Sequence, residues 1–465
     1  MDRSGHTLIP PHTIVSNISG DTLDGELTDP NSEPLSERKK ESTDDLSQVS
    51  GEERTIPKPP SPPEKPDGGF LAWLQVAGSW CLMFNCWGIV NSYGVFQTYY
   101  ENEALPTRSS SDIAWIGSLQ AFLLLFIGAI TGPLYDYGYF RHLLGAGTFL
   151  TVFGMMMVSI CSEFWHFVLA QGIVVGLGAG CLFIPSVAVL PLYFRSHLAF
   201  SIGVAGSGSG VGGIIYSIAF QQLQRSIGFG WATRIMGFIS LATLVFPFLV
   251  MRVPSAVPGQ PRKVRKLFDS STLKELPFVL FLIWGFFGFA GVYMPLYYVG
   301  SYAIEKDVMS STLASYLIPI LNAGSVIGRI VPNYAADKTG PVNMFIPTCF
   351  GLAVLSFAWI GISNTPGLIV FVVLYGIFIG TYMTLPFSAV VKLSPHLGVT
   401  GVRMGMLCVI CSFGVLVGTP VGGAILRHGD WIGLQCFGGA MLMVATIFIF
   451  ATRVAKVGID PSKIL

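Results

Sequence analysis

Asn322, Ser325 and Arg329 are spaced by three and four residues inside NAGSVIGRI, a stretch that contains no acid. On a helix this spacing places an amide, a hydroxyl and a guanidinium on one face. A guanidinium in apolar surroundings needs an anionic partner, carbonyl groups or a water-filled cavity. Two-pronged capture of a carboxylate is the task that arginine geometry suits best. The competing reading is that Arg329 reaches to the nearer surface or pairs with Asp337. A second polar pair lies in PDGGFLAWLQVAGSWCLMFNCWGIVNSYGVFQ, residues 66–97, where Asn85 and Asn91 interrupt a run without any ionisable group after Asp67. On one helix they would stand roughly 120° apart, so one narrow site cannot use both. Asn85 shares a face with Ser92 and serves equally well as an interhelical hydrogen-bonding group. Tyr293, Tyr297 and Tyr298 follow the glycine-rich GFFGFAG. They could stack on a planar ligand or form an interfacial aromatic belt, and the sequence leaves both open.

Nothing else reads as reaction chemistry. There is no P-loop, and His142, His166, His197, His396 and His428 lie in or near loops without metal-ligand spacing. Cys408 and Cys411 match CxxC, but all eight cysteines fall inside apolar runs, which predicts packing. The expectation is therefore neither an enzyme nor a nucleic-acid binder, with no cofactor or metal.

The elements that position these residues follow from composition. The chain has 465 residues, 52% hydrophobic and 11% charged, against about 25% charged in a typical soluble domain. Apolar runs of about 20 residues recur, each long enough to cross a bilayer core of roughly 30 Å. Twelve spans are expected, near 71–96, 112–133, 143–161, 166–190, 199–220, 231–251, 277–300, 313–334, 342–363, 367–391, 400–425 and 431–452. Arg234 and Arg403 fall near the ends of spans six and eleven, where snorkelling is expected. The chain thus reads as an all-α membrane protein with a disordered tail at 1–66, rich in Ser, Pro and charge. A six-helix bundle at 67–251, a linker at 252–276 and a second bundle with a short tail at 277–465 complete it. Within the tail, Pro57–Pro63 reads as a stiff linker or a peptide ligand, and Asn17 begins a glycosylation sequon.

Basic residues set the orientation. With both termini cytoplasmic, inner segments hold Arg141, Arg195, Lys274, Lys338, Lys392, Arg453 and the cluster Arg252, Arg262, Lys263, Arg265, Lys266. Outer loops hold only Arg108, Arg225, Lys306 and Arg427. The bias favours both ends inside, in the plasma membrane by default.

The halves repeat. Gly132-Pro-Leu-Tyr-Asp136-Tyr-Gly138 after span two matches Asn333-Tyr-Ala-Ala-Asp337-Lys-Thr-Gly340 after span eight, and the aspartates are 201 residues apart. Pro185 and Pro386, late in spans four and ten, share that offset, which argues for duplication. GxxxG spacings recur in spans two, four, five, eight, ten and eleven, as in Gly206/Gly210 and Gly324/Gly328. They fit static close packing and rocking halves equally.

These motifs resemble those of the major facilitator superfamily. Asp136 with Arg141, and Asp337 with Lys338, look like degenerate copies of its loop motif Gly-x-x-x-Asp-(Arg/Lys)-x-Gly, whose residues form cytoplasmic gate contacts. The first copy departs, with Tyr137 at a usually basic position. Within the superfamily, DGGFLAW at 67–73, GLGAGCLFIPSVAVLPLYF at 176–194, GVAGSGSGVGGIIY at 203–216 and NAGSVIGRI at 322–330 resemble fungal-type monocarboxylate porters. The resemblance spans about 67–453. It implies twelve helices, a central cavity, alternating access and a substrate-binding role for Arg329. In animal members a span-one lysine serves coupling, and Asn91 stands at or beside that position. An aspartate usually precedes the span-eight arginine by one turn, where this chain has Ser325. Lacking both charges, proton-coupled lactate-type transport fits less well than a neutral, larger or amphipathic solute. The expectation is a secondary transporter, acting as a monomer in the lipid bilayer, that exports a small organic metabolite. Its candidate binding residues are Arg329, Asn91, Asn322, Ser325, Asn85 and Tyr293. Uptake of a monocarboxylate or vitamin is the alternative, and proton coupling is open in either case. A non-transporting nutrient sensor is the remaining class.

Overall fold

The computed structural model describes residues 68–194, 197–253, 268–395, 397–427, 429–460 and 465. The tail at 1–66, with Pro57–Pro63 and Asn17, lies outside the described residues, as do Arg195, Arg262, Lys263, Arg265, Lys266, His396 and His428. What is described is helical. Span one runs Phe70–Asn91 and, after a break, Tyr93–Tyr99; spans two to six are Ser110–Asp136, Phe140–Val158, Phe164–Leu192, Leu198–Ile227 and Phe229–Val250. Span seven is Leu276–Gly291 and Met294–Glu305. Spans eight to twelve are Ser311–Thr339, Pro341–Ala358, Thr365–Leu393, Leu397–Leu426 and Trp431–Val457.

Eleven of these are long and apolar enough to cross a membrane. Phe70–Asn91, which carries Gln75, Asn85 and Asn91, is not among them.

The duplication is visible in the element boundaries. Spans two and eight start at Ser110 and Ser311, three and nine at Phe140 and Pro341, four and ten at Phe164 and Thr365, all at the 201-residue offset. Ser109 and Ser310 cap equivalent helices by accepting from the backbone N–H groups of Asp112 and Leu313. Spans one and seven break at equivalent places. In span seven Pro295 lacks an N–H and would clash with the carbonyl four residues before it. In span one the Ser92 hydroxyl bonds back to the Ile89 carbonyl at 2.7 Å, a contact that bends helices.

Within the first half, spans one and five pack along each other; in the second, eight packs on ten and seven on twelve. Two seams join the halves, span two against eleven and span five against eight. Most of the GxxxG glycines serve packing inside a half. A side chain at Gly208 or Gly212 would lie 2.2 or 2.3 Å from the carbonyl oxygens of Trp80 and Phe84 in span one. Span five turns a second glycine face, Gly203, Gly206, Gly210 and Gly213, towards the other half.

Candidate functional site

Span eight lays its polar stripe along that second glycine face, turn by turn. Gly213 abuts the Asn322 amide, Gly210 the Ser325 hydroxyl, Gly206 the Arg329 side chain and Gly203 both the Arg329 carbonyl and Asn333. Without Cβ atoms on span five, the polar groups of span eight can lie directly against its backbone.

Arg329 is 4% exposed. Its Nη1 donates to the Gly206 carbonyl at 3.1 Å, while Nε has no hydrogen-bond partner among the described residues. No acidic side chain among them pairs with it, whereas Arg403 pairs with Glu275 and Arg427 with Asp112. The pairing with Asp337 is therefore not formed, and burial rules out snorkelling in this state. The Tyr293 phenol and the Cys86 thiol lie within electrostatic reach of the guanidinium. Beside it is a cavity of about 10 Å³, walled by Met83, Trp87, Ile202, Met383, Thr384 and Phe387, room for about one water molecule. Spans one, five, eight and ten all contribute to it, so it lies where the two halves meet.

Asn322 donates to the Ile318 carbonyl at 3.0 Å and to the Asn91 carbonyl at 3.4 Å. Ser325 donates to the Asn322 carbonyl, and the Asn91 amide reaches the Ser209 carbonyl at 3.5 Å. Asn91, Asn322, Ser325 and Arg329 are thus brought to one seam. Tyr293 joins them through a 3.8 Å contact from its hydroxyl to Met383 Sδ. It is fully buried, which excludes the interfacial belt for this residue.

Asn85 is placed elsewhere. Its amide donates to the Cys81 carbonyl at 2.8 Å and to Thr243 Oγ1 at 2.9 Å, and its Oδ1 accepts from the Tyr216 hydroxyl at 2.7 Å. Tyr216 also pairs with Ser240. Asn85 therefore binds spans one, five and six together inside the first half, with both amide donors and its oxygen engaged away from the seam between the halves. Asn85→Ala removes the hydrogen bonds to Thr243 and Tyr216, which keep Ile239 and Ser240 as partners, and should cost about 0.5–1.5 kcal/mol per bond lost. Thermal unfolding of the purified variant should show that loss, with solute affinity unchanged.

Of the four gate candidates, Asp337 makes the described contact between halves. Its carboxylate accepts from the backbone N–H groups of Ala199 and Phe200 at 3.2 and 3.1 Å, at the N-terminal end of span five, where a helix favours negative charge. Lys338 instead lies over the Tyr334 ring of its own helix, 4.9 Å from the centroid. Arg141 donates to the Phe248 carbonyl at 2.6 Å and covers its ring, which keeps it within the first half. Asp136 sits at the end of span two. Arg403 departs from the expected snorkelling: it is 2% exposed, paired with Glu275, bonded to the Leu393 carbonyl and stacked on Phe278. Arg234 lies over Trp231 and donates to Ser159.

The opposite face also carries contacts between the halves, beside an open cavity of about 330 Å³ lined by Gly94, Phe220, Gln221, Ser315 and Ile318. Gln222 donates to the Tyr316 hydroxyl at 2.8 Å, Arg427 to Ser109 and Ser111 to the Pro420 carbonyl. Glu101, just past span one, accepts from Gln97 at 2.6 Å and from Ser301 of the other half at 2.9 Å. Burial raises its carboxyl above the usual glutamate range, opposed by the bonds from Gln97, Ser301 and Ser110 and reinforced by Glu305. An acid whose pKa is higher in the closed arrangement binds more protons there. Closure at this face should therefore weaken as pH rises above the ordinary glutamate range, and level off above the raised value. Labelling of a Ser315→Cys reporter should follow that curve, and Glu101→Gln should flatten it.

The sequence reading missed Glu101, although Gln97 four residues earlier is a helical pairing signal. It also missed Met83, Trp87, Met383 and Phe387, which carry no polar signature.

A sequence model of the Major Facilitator Superfamily matches residues 69–414. The MFS-type transporter dbaD of Emericella nidulans is 45% identical over 386 residues, 82% of this chain and 86% of that one. The aspyridones efflux protein apdF of the same organism is 37% identical over 409 residues, covering 87% and 82%. Both relatives are named as MFS-type transporter or efflux protein. The solved nucleoside transporter NupG shares the fold with a TM-score of 0.62 at 14% identity, over 83% of this chain and 100% of that one. With twelve helices in two related six-helix halves, the chain belongs to the major facilitator superfamily and is a multi-pass membrane transporter, not an enzyme.

Proposed function

We propose that this transporter exports a small organic metabolite carrying an acidic group, by rocking its halves about the span two–eleven and span five–eight seams. The observation that carries the reading is Arg329: a buried guanidinium at the meeting of the halves, with one carbonyl partner, a free Nε–H and no acid. A cation so placed is costly unless something anionic visits it. The relatives named for efflux support the outward direction, and the excess of basic residues on the face carrying Asp136 and Asp337 supports both termini being cytoplasmic, in the plasma membrane. The likeness to monocarboxylate porters survives as an acid-accepting arginine, with Asn91 and Ser325 in place of the coupling charges. Neither half needs a second copy to complete the site, which supports action as a monomer.

Metabolite profiling of cells and medium, with and without the gene, tests this. Export predicts a solute that accumulates inside the deletion strain and falls in its medium. Loss of a solute from cells while it stays in the medium would establish uptake instead.

A further inference from the structure

Resting on the reading of Arg329 as the acid-recognising group, we propose that the exported solute is a planar aromatic compound with an acidic oxygen and at least one further ring oxygen. The walls around Arg329 include rings supplied by both halves, beside Met83, Ile202, Met383 and Thr384. Trp87 and Phe387 line the small cavity itself. Phe183 stands edge-on to each, with centroids 5.8 Å apart in both pairs, and its contact with Phe387 crosses between the halves. Further along the seam, Tyr93 of span one meets Tyr297 of span seven at 5.0 Å, again across the halves. Tyr293 lies between, 6.1 Å from Tyr297 and in contact with the cavity wall at Met383. When the halves part, aromatic faces and edges would be among the surfaces exposed at this level.

Three buried donors in this seam lack an oxygen partner. The Tyr297 hydroxyl, in a side chain 1% exposed, and Arg329 Nε have no hydrogen-bond partner among the described residues. The Tyr293 hydroxyl has only a thioether sulfur, a weak acceptor. Buried polar groups in native proteins are rarely left this way without a cause. An aliphatic carboxylate would engage Arg329 and leave the phenols and rings unused. A flat ring bearing an acid and a second oxygen would answer all three donors while stacking between the walls. Each good ring contact adds a few-fold to about tenfold in affinity.

Isothermal titration of the purified full-length protein tests the class with three probes: 2,4-dihydroxybenzoate, cyclohexanecarboxylate of the same charge, and resorcinol. The expected order has 2,4-dihydroxybenzoate binding about tenfold more tightly than either of the others. Tyr297→Phe and Tyr293→Phe should each weaken it several-fold while leaving cyclohexanecarboxylate unchanged, with thermal unfolding confirming that the variants fold. Equal binding of the saturated acid, no binding of the aromatic acid, or unchanged binding by folded forms of both tyrosine variants would overturn the inference. In the deletion strain, an accumulating solute without an aromatic ring overturns this inference alone and leaves export standing. No change in any solute overturns export itself.

Discussion

Replacing Gly203 with valine should hold the halves apart at the basic face and stop transport, whereas Gly94→Val should do the same at the opposite face. A Cβ at Gly203 would lie 2.2 Å from the Arg329 carbonyl oxygen and 3.0 Å from Asn333. One at Gly94 would lie 2.2 Å from the Leu296 carbonyl oxygen and 3.2 Å from Ile318. The closer contact in each case is with backbone of the other half, so no rotamer change of the neighbour can relieve it. Overpacking of this kind costs about 1–3 kcal/mol, roughly a fivefold to hundredfold shift away from the closed arrangement at that face. Maleimide labelling in detergent, where both faces are accessible, reads the shift against the same protein without the added thiol. Gly203→Val should raise labelling of a Phe200→Cys reporter, and Gly94→Val that of a Ser315→Cys reporter. Wild-type labelling and full transport in both variants would mean that the halves do not close through these contacts.

Arg329→Gln should abolish transport of the acidic solute without harming the fold. The side chain keeps an amide to meet the Gly206 carbonyl but loses the charge and the paired donors. A hydrogen bond to a charged group is worth about 1.5–3 kcal/mol, so solute affinity should fall about 10- to 100-fold. The unfolding temperature should hold or rise, because an unpaired buried cation is removed. Arg329→Lys restores a positive charge but not the planar fork, and should recover only part of the activity.

How much of this was legible in the sequence depends on where each residue's partners lie. Apolar runs report themselves, so the twelve spans and the 201-residue repeat could be read from pattern alone, and the helix starts at Ser110 and Ser311 reproduce that offset. The shared face of Asn322, Ser325 and Arg329 is a property of one helix and was equally readable. Asn85 was not, because its orientation is decided by Tyr216 and Thr243, more than a hundred residues away. Arg403 lay near a span end, but its fate was set by Glu275 and Phe278 on another helix. Span five's two glycine faces have the same spacing in sequence, and only the packing assigns one to span one and the other to span eight. The aromatic wall escaped for a different reason: Trp87, Phe183 and Phe387 look like any other apolar residue of a membrane helix.

The most direct test of export through an arginine-centred acid site is the cell-to-medium ratio of the solute that builds up in a deletion strain. It is measured after restoring either the original chain or Arg329→Gln at matched expression. The account predicts that the original chain returns the ratio to that of the parent strain, that Arg329→Gln leaves it high, and that the solute carries an ionisable acid. Full restoration by Arg329→Gln, or a neutral solute, would contradict it.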